Sequence, residues 1–185
     1  SFKVERAEGL ISGVKGALPV PAAAPGVDAA AIGVLVQKSP LPQLNVKLQF
    51  KAGSAHDPKG KEGLAALAAS MIADAGSRGM TIDQARELLY PIAGSFTAQV
   101  DREVTTFTGS IHRDNWRRFF EVTLNQLVTP GFREEDFSRL KTSQVNALVQ
   151  DLRSDNEEEL GKERLQANIF AGTPYGHTTL GTIAA

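Results

Sequence analysis

Polar and apolar residues alternate along Asn45-Val46-Lys47-Leu48-Gln49-Phe50-Lys51, which puts Val46, Leu48 and Phe50 on one face of a half-buried strand. Residues 31–36 form a short apolar run that predicts a buried strand upstream, and the turn around Pro40 and Pro42 predicts a hairpin between the two. Beyond the polar loop over 53–60 the period changes. From about Gly63 to Ala75 it is helical, with Leu64, Leu67, Met71 and Ile72 on one side and a thin alanine face that a neighbour can approach closely. Thr81 stands as the N-cap of a helix over 82–90 that Pro91 ends. Residues 95–101 and 104–111 are rich in Thr, Val and Phe and predict two strands joined at Arg102-Glu103. Residues 114–127 predict a helix burying Trp116, Phe119, Phe120, Leu124 and Leu127, stopped by Thr129-Pro130-Gly131. A long helical region over 134–170 follows, interrupted near 154–156, with Glu157, Glu158 and Glu159 placed where carboxylates complement the helix dipole.

The order β-β-α-α-β-β-α-α-α groups strands in pairs and helices in runs. It predicts an α+β fold with a largely antiparallel sheet and helices packed on one face. Residues 1–27, with Pro19, Pro21 and Pro25 among alanines and glycines, read as an extended lead-in to one unit over 28–185. The 185 residues suffice for one domain with a real core. Lys and Arg total 20 against 21 Asp and Glu, for a net charge of −1, so no strong field recruits nucleic acid or an anionic membrane. No apolar run approaches the ~20 residues that cross a bilayer. Cysteine is absent, which removes disulfides and thiolate metal sites.

Residues 63–71 read Gly-Leu-Ala-Ala-Leu-Ala-Ala-Ser-Met. Their flanks, Gly53-Ser54 before the loop, Gly63-Leu64-Ala65 and Met71, resemble the active-site helix of the pitrilysin/insulinase family, which includes mitochondrial processing peptidase. Thr97-Ala98 stands where that family has Asn-Ala on the strand lining its substrate groove. Arg102-Glu103-Val104-Thr105 follows at the spacing of the next strand, and Pro174-Tyr175-Gly176-His177 with Leu180-Gly181 resembles the segment after the family's long helix pair. The resemblance implies the fold of one insulinase-like unit, the first of two such units in a longer chain of which 185 residues are a piece.

In active members the stretch between Ala65 and Met71 carries H-x-x-E-H, in which two histidines one turn apart bind zinc and a glutamate activates water. The matching positions here are Ala66, Leu67, Ala68, Ala69 and Ser70. Counting back from Pro174-Tyr175-Gly176 puts the third ligand position at or next to Val149; Asp151, two residues on, points ~200° away on a helix. Ala66, Ala69, Ser70 and Val149 are therefore expected to be degenerate positions: no catalytic residue, no metal ligand and no cofactor bound by this chain.

Other chemistry is sparse. His56, His112 and His177 lie in distant segments and would have to converge to build a relocated zinc site; ordinary surface or hydrogen-bonding roles are the expectation. Ser70 has no neighbouring base and matches no nucleophile elbow. The glycines at 53, 60 and 63 lack the Gly-Lys-Ser/Thr of a phosphate loop, and Arg117-Arg118 reads as the solvent side of an amphipathic helix.

The resemblance implies a non-catalytic subunit that walls a peptidase chamber and binds an extended peptide at Ser95, Phe96, Thr97, Ala98 and Gln99 by strand addition. Its heterodimer partner would be a homologue carrying the zinc motif and the zinc. A purely structural subunit, similar to the core proteins of the respiratory cytochrome complex, is the alternative; a peptidase with a relocated zinc site ranks below both. The resemblance also suggests an exported bacterial protein, although no motif in these residues marks a compartment.

Overall fold

The computed structural model describes residues 33–151 and 157–183; the lead-in over 1–27 lies outside them. The chain divides into two units, Ser1–Pro42 and Gln43–Ala185. In the first, residues 33–42 carry no strand, and Val34, Leu35 and Val36 are exposed. The hairpin expected across Pro40 and Pro42 does not form, and residues 31 and 32 of the expected strand lie outside the described residues. An apolar run becomes a strand only when a ladder partner takes its backbone groups, and Pro40 and Pro42 bring no N–H to one.

The second unit is α+β. Among the described residues it holds three strands, β1 (Gln43–Phe50), β2 (Ser95–Val100) and β3 (Thr105–His112). Five α-helices accompany them: α1 (Leu64–Asp74), α2 (Ile82–Leu89), α3 (Trp116–Val128), α4 (Glu134–Asn146) and α5 (Glu157–Ile169). The sheet is antiparallel in the order β1-β3-β2. β2 and β3 form the expected hairpin, closed where the Asp101 N–H donates to the Val104 carbonyl at 2.8 Å.

Register divides the sheet into two unlike faces. Residues opposite one another share a face. Val46 pairs with Gly109 and Leu48 with Phe107 on one side of β3, and Phe96 with Gly109 and Ala98 with Phe107 on the other. That face is apolar throughout its centre. The other carries Asn45, Lys47, Gln49, Thr97, Gln99, Thr106, Thr108 and Ser110, all polar. A one-sided sheet must bury its apolar face under helices, which is where the core lies.

Ala85 and Leu89 of α2, Ile111 of β3, and Phe119 and Val122 of α3 form one buried cluster, with Phe96 and Leu44 packed against it. Full burial of Phe119 alone contributes about 1.5–3 kcal/mol. A second cluster joins Met71 and Ala75 to Leu140 of α4. The helix ends follow sequence signals in part. Thr81 caps α2 through a reciprocal box with Gln84, whereas Pro91 does not end the turn but sits inside a 3-10 turn over Tyr90–Ile92.

Two helices bury small or polar residues beside only some of the large ones expected inside. α3 fully buries Phe119, Val122, Thr123 and Gln126, leaving Trp116, Phe120, Leu124 and Leu127 half-buried. The polar pair can go inside because each donates to a carbonyl: Thr123 Oγ1 to Phe119 at 3.0 Å and Gln126 Nε2 to Ala73 at 2.9 Å. α1 buries Ala66, Ala69 and Ala73 along with Met71, while Leu64 remains exposed. Methyl side chains let this helix lie close against β2, where leucines would hold it away.

Close packing also fixes Gly109. A Cβ there would stand 2.6 Å from the Phe119 ring. Gly109→Ala is therefore expected to destabilise the fold by about 1–3 kcal/mol through overpacking, read as a lower urea midpoint. An unchanged midpoint would show that α3 can lift off the sheet without cost.

Candidate functional site

The site begins with α1, the helix expected to match the metal-binding helix of the resembled family. Gly63 enters it with a left-handed backbone, φ 99°, and offers no side-chain cap. The cap comes instead from Asp57, whose carboxylate accepts the Gly63 N–H at 2.7 Å and the Ala65 N–H at 2.8 Å. At the other end the terminal carbonyls are taken in turn. Gln126 reaches Ala73, Arg139 donates to Asp74 at 2.7 Å, and Arg133 donates to Ala75 at 3.0 Å and to Ser77 at 2.6 Å. Buried Asp136 holds both arginines, Arg139 at 2.8 Å and Arg133 at 3.7 Å. Two guanidinium groups at a helix C-terminus also complement its dipole.

Along α1, Ala66 and Ala69 are buried and Ser70 is half-buried. Val149 sits in the middle of a π-helical turn, Ala147–Asp151, that follows α4. Such turns are frequent at functional positions in helices.

A second set of contacts closes the site from the C-terminal side. Arg102 donates to the carbonyls of His177 at 2.7 Å and Tyr175 at 3.1 Å, and its second nitrogen meets Glu163 at 3.4 Å. The Tyr175 hydroxyl donates to Glu103 at 2.7 Å, and that carboxylate holds the phenol above its ordinary pKa. Gln144 Nε2 donates to both Gly63 and Leu180 carbonyls, at 3.0 and 2.9 Å. There the backbones meet so closely that a Cβ on Gly181, at φ 86°, would strike the Glu62 carbonyl. Two pieces of sequence that carry the family resemblance, Gly63 and Leu180-Gly181, thus meet at the start of α1, and two more, Arg102-Glu103 and Tyr175 with His177, meet each other.

Ser95, Thr97 and Gln99 are exposed, Phe96 and Ala98 half-buried, and β2 pairs with β3 alone among the described residues, leaving its outer edge open. The histidines serve local backbone: His56 accepts from Gly53, His112 accepts from Asp114, and His177 Nδ1 lies 2.8 Å from the Thr178 carbonyl. Among the described residues no three His, Asp or Glu side chains gather as a metal-binding group. Asp57, Gln126, Arg133, Arg139 and Gln144, which hold α1 in place, escaped sequence reasoning. Gln126 alone left a trace, since it lies on the face of α3 that the Phe119 and Val122 register buries.

Comparison with known proteins decides the family. The profile of the family described as Insulinase (Peptidase family M16) matches residues 33–183. The chain belongs to this family. Among solved structures, the M16 unit is similar to a peptidase M16 inactive domain from Pseudomonas fluorescens, with a TM-score of 0.69 and 19% identity over 79% of this chain and 35% of that one. It is also similar to a protease from Helicobacter pylori, with a TM-score of 0.64 and 15% identity over 77% of this chain and 34% of that one. At these identities the likeness is one of fold, and the chain spans about a third of the length of each. No curated protein matches it.

Zinc, which the M16 family implies, does not fit the residues present. Zinc takes imidazole, thiolate or carboxylate donors. Ala66, Ala69 and Val149 offer hydrocarbon, and Ser70 a neutral hydroxyl. The buried face of α1 is apolar, made of Ala66, Ala69 and Ala73 with Met71. Ala69→Glu is expected to cost on the order of 3 kcal/mol, because it would bury a carboxylate without a counter-charge. Urea unfolding would measure this, and an unaltered midpoint would mean that the face is open to water.

Asp74, at the end of α1, behaves differently. Burial raises its pKa, opposed in part by Arg86 and Arg139. A carboxyl with a folded pKa above its unfolded value of about 3.9 binds protons more readily in the fold, so its charged form destabilises. That penalty is complete above the folded pKa and vanishes below the unfolded one. Asp74→Asn should accordingly raise the melting temperature at pH 7, with the gain disappearing as the pH falls below about 3.9. A gain that persisted in acid would contradict the burial effect.

Proposed function

We propose that this M16 unit is a non-catalytic part of an insulinase-type peptidase, walling the substrate chamber and holding extended peptide beside a partner that carries the zinc. The carrying observation is the contrast within α1. Its backbone is capped at both ends and its packing against β2 is retained, yet positions 66, 69 and 70 carry no metal donor or general base. Chemistry has been lost from a scaffold that has not.

Several features support the peptide-binding part. Among the described residues, the outer edge of β2 has no strand paired to it along Ser95–Val100, and there an extended segment can add as a strand by main-chain hydrogen bonds. The likeness to a domain described as inactive in Pseudomonas fluorescens agrees with a non-catalytic role. In such a pair this chain contributes binding and confinement, and the partner contributes metal and activated water.

The test is reconstitution. After chelation and zinc reloading, the chain alone should hold less than one zinc per molecule and cleave no peptide. Co-expression of the full-length protein with a zinc-motif homologue from the same organism should give a stable complex that cleaves peptides faster than the homologue alone. Association without faster cleavage would move the assignment to a structural subunit. One tightly held zinc per chain, or no association, would refute the proposal.

A further inference from the structure

A cleft of about 340 Å³ opens between the start of β2, α2 and the C-terminal end of α1. Ala73 of α1, Ile82, Ala85 and Leu89 of α2, and Phe96 of β2 give it apolar walls. The sheet contributes residues 95–97 only, and nothing in the lining comes from β1 or β3. The cleft therefore lies on the side of β2 that has no strand paired to it among the described residues.

Register decides what would point into it. Residues opposite one another in paired strands share a face of the sheet. Phe96 lies on the helix-covered face, packed against the buried cluster of α2 and α3. A residue set opposite Phe96 on an added strand would project toward the helices, over the cleft, while its neighbours in sequence would project away from them.

Charge decides which side chain suits. Two charged residues line the cleft, Asp74 and Arg86. They are opposite in sign, and Arg86, together with Arg139, acts electrostatically on the Asp74 carboxylate. A charged occupant of either sign would give up hydration to meet charges that are already balanced. Gln126 adds no polar handle: it is 2% exposed, its amide nitrogen is spent on the Ala73 carbonyl, and its Oε1 is buried. What the cleft offers is apolar contact with its walls.

We propose that this cleft takes a large apolar side chain, of the leucine or phenylalanine class, from an extended peptide paired along the free edge of β2 with that residue opposite Phe96. This rests on the reading of β2 as a peptide-bearing edge. It adds a selectivity that main-chain pairing cannot supply.

Five fluorescent octapeptides, identical except for leucine, phenylalanine, alanine, lysine or glutamate at the fourth position, would be titrated by anisotropy against the chain and its Ile82→Ala variant. Ile82 is half-buried and stands outside the buried cluster, so the variant trims a wall and spares the core. The leucine and phenylalanine peptides should bind about tenfold more tightly than the other three, and Ile82→Ala should cut that preference to about threefold or less. A preference for lysine or glutamate, or an apolar preference that Ile82→Ala leaves unchanged, would overturn the assignment. Equal affinity for all five, with binding abolished by backbone N-methylation, would keep the strand edge and overturn the cleft. If no peptide binds, the edge reading falls, and N-acetyl-leucinamide followed by NMR tests the cleft alone. Shifts at Ala85 and Leu89, weakened in Ile82→Ala, would retain it as an apolar site. Their absence would overturn the proposal.

Discussion

An isolated helix of 11 residues is marginal in water even when rich in alanine. Helix α1 persists because its end groups are satisfied from outside. Asp57 covers its first N–H groups, and Gln126, Arg139 and Arg133 take its last carbonyls one after another. These side chains come from the preceding loop, from α3, from α4 and from the residue ahead of α4, so forming the helix and assembling its neighbours are the same event. All the capping acts on backbone. The side chains at 66, 69 and 70 take no part in it, which explains how a helix can keep its place while its surface chemistry changes.

Period and turn chemistry made much of the fold legible. Alternation located β1, the Thr- and Val-rich pair located the β2–β3 hairpin, and Thr81 with Gln84 marked the start of α2. What failed shares a physical cause. The apolar run around Val34 has the composition of a strand, but composition supplies no pairing partner. In α3 the bulkiest residues suggested the inner face, whereas Thr123 and Gln126, each satisfied by a carbonyl, share it with Phe119 and Val122; in α1 the alanine face expected to admit a close neighbour does so, but Leu64 stays outside. Both outcomes are decided by the neighbour across the interface, which one segment of sequence does not contain.

The site was legible in a different sense. Gly63, Arg102-Glu103, Tyr175 and Leu180-Gly181 carried a family resemblance without any stated role, and the structure supplies one. Arg102 holds the carbonyls of Tyr175 and His177, Glu103 accepts from Tyr175, and Gln144 ties Gly63 to Leu180. Gln144 braces the entrance of the helix, and the Arg102-Glu103 contacts hold the segment that carries Tyr175 and His177. None of these contacts involves the side chains at 66, 69 and 70, and those of Arg102 to Tyr175 and His177 and of Gln144 to Gly63 and Leu180 are made to backbone carbonyls.

The bracing has a consequence for how the chain is made. Arg102 and His177 are 75 residues apart, and Gln144 bridges to Gly63 across 81. During synthesis the strands and α1 leave the ribosome long before the segment that finishes the helix entrance. Until residues 175–180 emerge, the Arg102 guanidinium lacks both of its carbonyl acceptors and the Gln144 amide one of its two. Non-local closure of this kind slows folding and lengthens the exposure of apolar surface. A chaperone would find its client in that interval, with the sheet already paired and its last seam still unsewn.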